Sequence, residues 1–276
     1  MGVNNGDSIY NGSEKQTDFS DFSSNVVLPL KVDTDGKLTN NGTNNTVTGT
    51  YAWAEGASNT ASNDCSHAEG RGSKAIGPRS HAEGSGSAES QYSHAEGLST
   101  TASGDFSHAE GYQCTASGTA AHAENKSVAS GSFSHAEGQN TTSSNIASHA
   151  EGGNTLASGQ NSHAEGNYTK AVGNHSHSEG SACEAKGIRS HAGGNTCIVD
   201  AADAFAHGAY LQTTSEKCVV FGTYNVDEAG YLIIGDGTDD ANRKNIFKVD
   251  KSGNLWFMHN GVLTNLSAIL NSHNIT

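Results

Sequence analysis

The chain has 276 residues, of which 34 are Gly, 2 are Pro and 33% are hydrophobic, so a single large core of Leu, Ile and Phe is not available. It is either disordered or built from many thin stacked units. A formal net charge of −14, from 29 acidic against 15 basic residues, argues against nucleic acid and anionic membrane as direct partners, because both need a basic surface.

At the N-terminus, residues 1–25 are polar and show neither a positive nor an apolar block, so no secretory signal is expected there. No window approaches the ~18 apolar residues of a membrane helix, and membrane insertion is not expected. The protein is read as made and assembled in a cytoplasm. Val26–Val32, a turn at Asp33-Thr34-Asp35-Gly36 and Lys37-Leu38 predict strand, turn and strand. Residues 1–50 are read as an attachment segment.

Residues 51–210 are a repeat of the motif Ser-His-Ala-Glu-Gly. Its His position falls at Trp53, a substitution, and then at His67, His81, His94, His108, His122, His135, His149, His163, His177, His191 and His207. The spacings are 14, 14, 13, 14, 14, 13, 14, 14, 14, 14 and 16 residues. Such a period suits one solenoid coil of two short strands and two tight bends. Gly70, Gly84, Gly97 and Gly111 close the first strand, and Gly77, Gly104, Gly118 and Gly159 the second, where positive φ is expected of them. Gly and Ser at this density exclude a helical repeat.

Side chains alternate across a strand, so Ser107, Ala109 and Gly111 share one face while His108 and Glu110 share the other. In the second strand Cys114, Ala116 and Gly118 share a face of small residues. Equivalent positions hold Thr141, Thr155, Thr169, Cys183, Ala157, Ala171 and Ala185. The two small faces pack on each other to fill a narrow coil. That leaves an outward ladder of His67, Glu69, His81, Glu83, His94, Glu96, His108, Glu110, His122, Glu124, His135, Glu137, His149, Glu151, His163, Glu165, His177 and Glu179. The residue two before each His (Tyr92, Phe106, Phe133, Phe205, Arg79, Asn161, Arg189) is expected on the same face. The second strand's outward Lys74, Thr101, Thr115, Lys170 and Glu184 read as solvated.

Carboxylates ~4.8 Å apart repel by roughly 1 kcal/mol in water and about 3–4 at an effective dielectric near 20. Each Glu therefore needs its neighbouring His as donor or counter-charge. A coil this thin buries little surface by itself. A parallel homotrimer with the His/Glu faces inward answers both needs.

Residues 211–260 predict short strands at Tyr231–Ile234, Ile246–Asp250 and Leu255–Met258, with a hairpin at Lys251–Asn254, as a knot covering the solenoid end. In residues 261–276, Val262–Leu270 predicts a short helix capped by Asn265 or Thr264.

The coils resemble the left-handed parallel β-roll of trimeric autotransporter adhesin heads, which carry aliphatic residues where this chain has His and Glu. The wording SHAEG…T-x-A-S-G is similar to repeats of phage and prophage tail fibres and appendages. So are two later stretches, CVVFGTYN at Cys218–Asn225 and IIGDGTDDANRKNIFKVD at Ile233–Asp250. The resemblance covers roughly residues 51–257. It implies an all-β, left-handed, homotrimeric β-solenoid with small β-rich caps at both ends. It further implies a receptor-binding tail fibre on the virion surface, joined to a tail or baseplate protein through its N-terminus and reaching a host glycan or wall polymer. The alternatives are a passive spacer or capsid appendage, a bacterial trimeric adhesin and, last, a polysaccharide depolymerase.

No cofactor and no catalytic constellation is indicated: Ser, His and Glu abound, but none is isolated as an activated nucleophile. His175 and His177 are the metal candidates, since two imidazoles on one strand face would become six in a trimer. Asp236, Asp239 and Asp240 suit either Ca²⁺ or a polar turn, the turn being preferred. Cys65, Cys114, Cys183, Cys197 and Cys218 read as reduced fillers, with a Cys183–Cys197 bridge left open by their shared repeat position.

Overall fold

The computed structural model describes residues 30–32, 38–40 and 44–272. The repeat folds as a parallel β-solenoid with almost no helix. Each coil gives one strand to each of two ladders. The SHAEG strands form fourteen rungs, from Trp53–Ala57 to Leu232–Asp236. The second strands form thirteen, from Thr46–Val47 to Gln212–Thr213. Pairing is in strict register, so His94, Ala95 and Glu96 lie beside His108, Ala109 and Glu110. Where the spacing drops to 13, the coil shortens its strand, as at His81–Ala82 and His122–Glu124, and the register survives.

The interior is the expected column of small side chains. Ala68, Ala95, Ala109, Ala150 and Ala164 face Ala75, Ala102, Ala116, Ala157 and Ala171, all fully buried. The Ser before the ladder His is buried too, and in most coils its hydroxyl closes the preceding bend, though Ser176 makes no such bond and Ala121 takes its place in one coil. Ser80, Ser107 and Ser134 Oγ donate to the carbonyls of Gly77, Gly104 and Gly131 at 2.7 Å.

The two bends use glycine differently. Gly97 and Gly111 after the first strand have φ of 104° and 97°, as expected. Gly104, Gly118 and Gly159 do not adopt positive φ. They are required by close approach: a Cβ on Gly159 would lie 2.0 Å from the Gly173 carbonyl of the next coil. The left-handed residue of this bend is instead the one two before His, including Arg79, Tyr92, Phe106, Phe133, Asn161, His175 and Arg189. That conformation breaks the strand alternation. Tyr92, Phe106 and Phe133 therefore sit on an exposed corner, at 44%, 57% and 67% exposure, and not on the ladder face.

The parallel ladder continues beyond residue 210, and its register corrects the last repeat. His191 pairs with Phe205, and Gly193 with His207. His207 thus occupies the Glu column, and Phe205 the His column. The spacing of 16 residues came from matching the wrong histidine. Phe205, Val219 and Leu232 then continue the His column, while Phe221 and Ile234 continue the Glu column. The interior enlarges in step, with Val199, Leu211, Val220 and Ile233 fully buried.

After Leu232–Asp236 the pairing turns antiparallel through Asn245–Val249, Leu255–His259 and Val262–Asn265. The expected helix is shorter than read from sequence, running from Leu266 to Ser272, and Asn265 Oδ1 accepts from Ser267 N at 2.9 Å. Its first residues are a strand because Asn260-Gly261, with φ of 48° and 77°, makes a tight hairpin turn. At the other end Leu30–Val32 pairs antiparallel with Leu38–Asn40, the expected strand pair. The polar segment 1–25 lies outside the described residues.

Candidate functional site

The SHAEG strands hold their His and Glu side chains on the outer face in two columns. Imidazoles from His67 to His163 stack on the next ring at 4.7–4.9 Å, with planes within 5° of parallel. The ring edges of His108, His122 and His135 meet carboxylates of their own and the preceding coil, and those of His81, His94, His149, His163 and His177 meet one. His122 Nε2 lies 3.6 Å from Glu110 Oε1 and 3.7 Å from Glu124 Oε1. His135 Nε2 lies 3.5 Å from Glu124 Oε1 and 3.8 Å from Glu137 Oε2. In the first coil the Trp53 indole takes the imidazole's place, its Nε1 donating to Glu55 Oε2 at 3.3 Å.

These are ion-pair distances without hydrogen-bond geometry. The Nε2 atoms of His67, His81, His94, His108, His122, His135, His149, His163, His177 and His191 are shielded from solvent, yet none has a hydrogen-bond partner among the described residues. The His–Glu hydrogen bonding expected from sequence is therefore not made within one chain. The rings themselves remain about one-third exposed.

Burial, and then the neighbouring imidazoles, push His94 and His149 below the ordinary histidine pKa of 6.5. His108, His163 and His191 are lowered for the same reasons. In the carboxylate column Glu151 and Glu165 approach closely enough to share a proton. A hydrogen bond to Glu165, followed by burial, raises Glu151 to about 7, while Glu165 moves down. Burial thus favours the neutral form of these five imidazoles, and the close approach of neighbouring carboxyls favours a proton on Glu151.

The two metal candidates do not share a face. His177 opens a ladder strand, whereas His175 sits on the preceding bend with φ of 58°. The aspartates of the 236–240 turn are engaged by protein groups. Asp239 Oδ1 accepts from the Ala241 and Asn242 amides at 3.0 and 2.9 Å. Asp240 pairs with Arg243 at 2.5 Å, and Asp236 with Lys244 at 2.9 Å. They build a turn. All five cysteines are free thiols; Cys197 N donates to Cys183 Sγ at 3.4 Å.

Among the outward tyrosines, Tyr112 and Tyr168 are exposed. Tyr210 stacks on Tyr224 at 4.4 Å, with the Arg243 guanidinium 5.5 Å from the Tyr224 ring centre. The sequence reading missed this pair because it ended the coils at residue 210, two rungs too early.

Neither a family model nor a curated protein matches this chain.

Proposed function

We propose that the chain is a structural adsorption protein: a parallel homotrimer whose His/Glu faces meet at a common axis. It would serve as a receptor-binding tail fibre or tail appendage of a phage or phage-like particle. The observation that carries the assembly is the continuity of one face. Its columns run from His67 and Glu69 to His177 and Glu179, then pass in register into Phe205, Val219, Leu232, Phe221 and Ile234. In a single chain this strip is left unfinished, with ten shielded Nε2 atoms lacking hydrogen bonds and Phe221 42% exposed.

A second copy of the same chain suits such a strip. Only an identical ladder repeats its ionisable and apolar rungs at the same rise over its full length. An apolar segment covered by its own equivalent also removes the cost of leaving Phe221 in water. Parallel alignment matches like rungs, and three copies follow the adhesin-head pattern that the coil resembles. Repetition favours a scaffold over an enzyme, since a reaction needs its site once. The tail-fibre reading draws on the SHAEG wording and the stretches at 218–225 and 233–250, with the N-terminal segment attaching to a tail or baseplate protein. The distal coils would meet host glycan or wall polymer.

Immunogold electron microscopy of particles from a producing strain, with antibody to this chain, tests the reading. Gold at the tail extremity, with antibody blocking adsorption, is the expected result. Label there without any effect on adsorption would assign a spacer role. Label confined to the bacterial envelope would overturn the particle reading.

A further inference from the structure

The regular ladder ends at a place where the sequence breaks its own rule twice. The motif's Glu is replaced by Gly193, and one coil later His207 stands in the same column. The preceding Glu179 consequently faces two imidazoles whose rings are not stacked. Glu179 Oε1 lies 3.3 Å from His191 Nε2 and 3.4 Å from His207 Nδ1. The His177 and His191 rings are turned by 83°, and those of His191 and His207 are tilted by 31°.

The absent side chain at Gly193 leaves the middle of this trio open. A Cβ there would lie 2.5 Å from His207 Nδ1, 2.9 Å from Glu179 Oε1 and 3.0 Å from His191 Nε2. An open depression lined by Glu165, Glu179, Gly180, Gly194 and His207 leads to it from solvent.

We propose that Glu179, His191 and His207 bind one divalent transition ion, Zn²⁺ by their ligand chemistry, in a tetrahedral site completed by water. Bonds of roughly 2.0–2.1 Å at tetrahedral angles set ligand atoms about 3.3–3.4 Å apart, which is the spacing Glu179 Oε1 already has to each imidazole nitrogen, and all three atoms lie within 4.8 Å of one another. Two imidazoles and a carboxylate with one open position form a familiar zinc donor set. The His191 Nε2 is shielded from solvent and has no hydrogen bond to give up.

The regular rungs offer the same residue types but not the same geometry. His94, Glu96 and His108 bring three ligand atoms within 4.8 Å, yet their parallel rings lie 4.7 Å apart. The in-plane lone pairs then run side by side, and an ion between the planes would sit out of line with both. The site uses atoms of one chain, so it stands whether or not the trimer forms.

The test uses the full chain without an affinity tag, stripped with a chelator and titrated with Co²⁺ as a visible probe. One Co²⁺ per chain should bind with the intense absorption of tetrahedral cobalt, and Zn²⁺ should abolish the band. His207→Ala and Glu179→Gln should each weaken binding by at least about 100-fold, since even outer partners of a ligand are worth 10–100-fold. His94→Ala should change neither stoichiometry nor spectrum. Gly193→Glu restores the residue that other coils carry, so it should keep the fold while blocking the site. No cobalt band in the unmodified chain would overturn the proposal. So would a band that survives Gly193→Glu, or several ions per chain removed by His94→Ala.

Discussion

Two stretches of the same ladder differ almost completely in side chains and hardly at all in backbone. From His94 to His177 the outer columns are His and Glu, and the interior is Ala. From Phe205 to Ile234 the outer columns are Phe, Val and Leu beside His, Phe and Ile, and the interior holds Leu211, Val220 and Ile233. The register passes through the change without a slip. Strand pairing and the bends therefore fix the coil, while side chains decide how wide it is and what its face can meet.

The shared backbone is the part most easily broken. Gly159→Ala puts a Cβ 2.0 Å from the Gly173 carbonyl, where only backbone could give way, whereas Gly153→Ala meets nothing closer than the Asn167 side-chain oxygen at 3.2 Å. The first change should cost about 3 kcal/mol or more, and the second should be near neutral. Equal melting temperatures for the two variants would refute the account of the bends.

The difference in width predicts opposite sensitivities. Ile233→Ala should open a cavity and cost roughly 2–5 kcal/mol, whereas Ala136→Leu should overpack an Ala coil and cost roughly 1–3 kcal/mol. An unchanged melting temperature for Ala136→Leu would mean that the small column is not the interior.

The difference in face chemistry is sharpened by a double-mutant cycle at one regular rung. Glu137→Ala takes away one of the two carboxylates that stand 3.5 and 3.8 Å from His135 Nε2 and should cost up to about 1 kcal/mol. Changing His135 to Val and Glu137 to Ile together gives this rung the chemistry of the last coils. The pair should be neutral or stabilising, as matched apolar replacements of buried polar pairs often are. Additive losses across the cycle would show that the ladder faces solvent.

The smallest expected effect is the pH response, confined to the ionisable stretch. His94, His108, His149, His163 and His191 have folded pKa values below 6.5, so the unfolded chain binds more protons as pH falls. The stability present above pH 6.5 is lost as pH falls through that value, and it levels off below the folded values. Glu151, raised from 4.5 to about 7, acts in the opposite sense and loses stability as pH rises through that interval. With that carboxyl removed by Glu151→Gln, the histidine effect should stand alone and the melting temperature should drop between about pH 7 and pH 5. A rise over this range would contradict the burial of the imidazoles.

Much of this architecture was legible from spacing alone. Period and parity placed Ala109 inside and His108 outside, because strand alternation holds wherever the chain is extended. It failed where the chain turns. Phe106 and His175 are two residues from a ladder His, but they are themselves left-handed, and they leave the face. Motif matching also preferred the His at 207 over the Phe at 205, because it followed residue identity where the backbone kept count. The Asn260-Gly261 turn was a readable hairpin signal, overridden by the apolar spacing of Val262–Leu270. The site at Glu179, His191 and His207 was hidden for a different reason: it arises from departures from the repeat, which only the register brings together.

The central claim is that this face joins copies of the chain, and the molar mass in solution tests it most directly. Light scattering at neutral pH should give three times the chain mass of 28.4 kDa, with His135→Glu, which sets a carboxylate among its own kind, shifting the mass toward a single chain. A stable, folded monomer of 28.4 kDa at working concentrations would contradict the account and leave the ladder as solvent-facing surface.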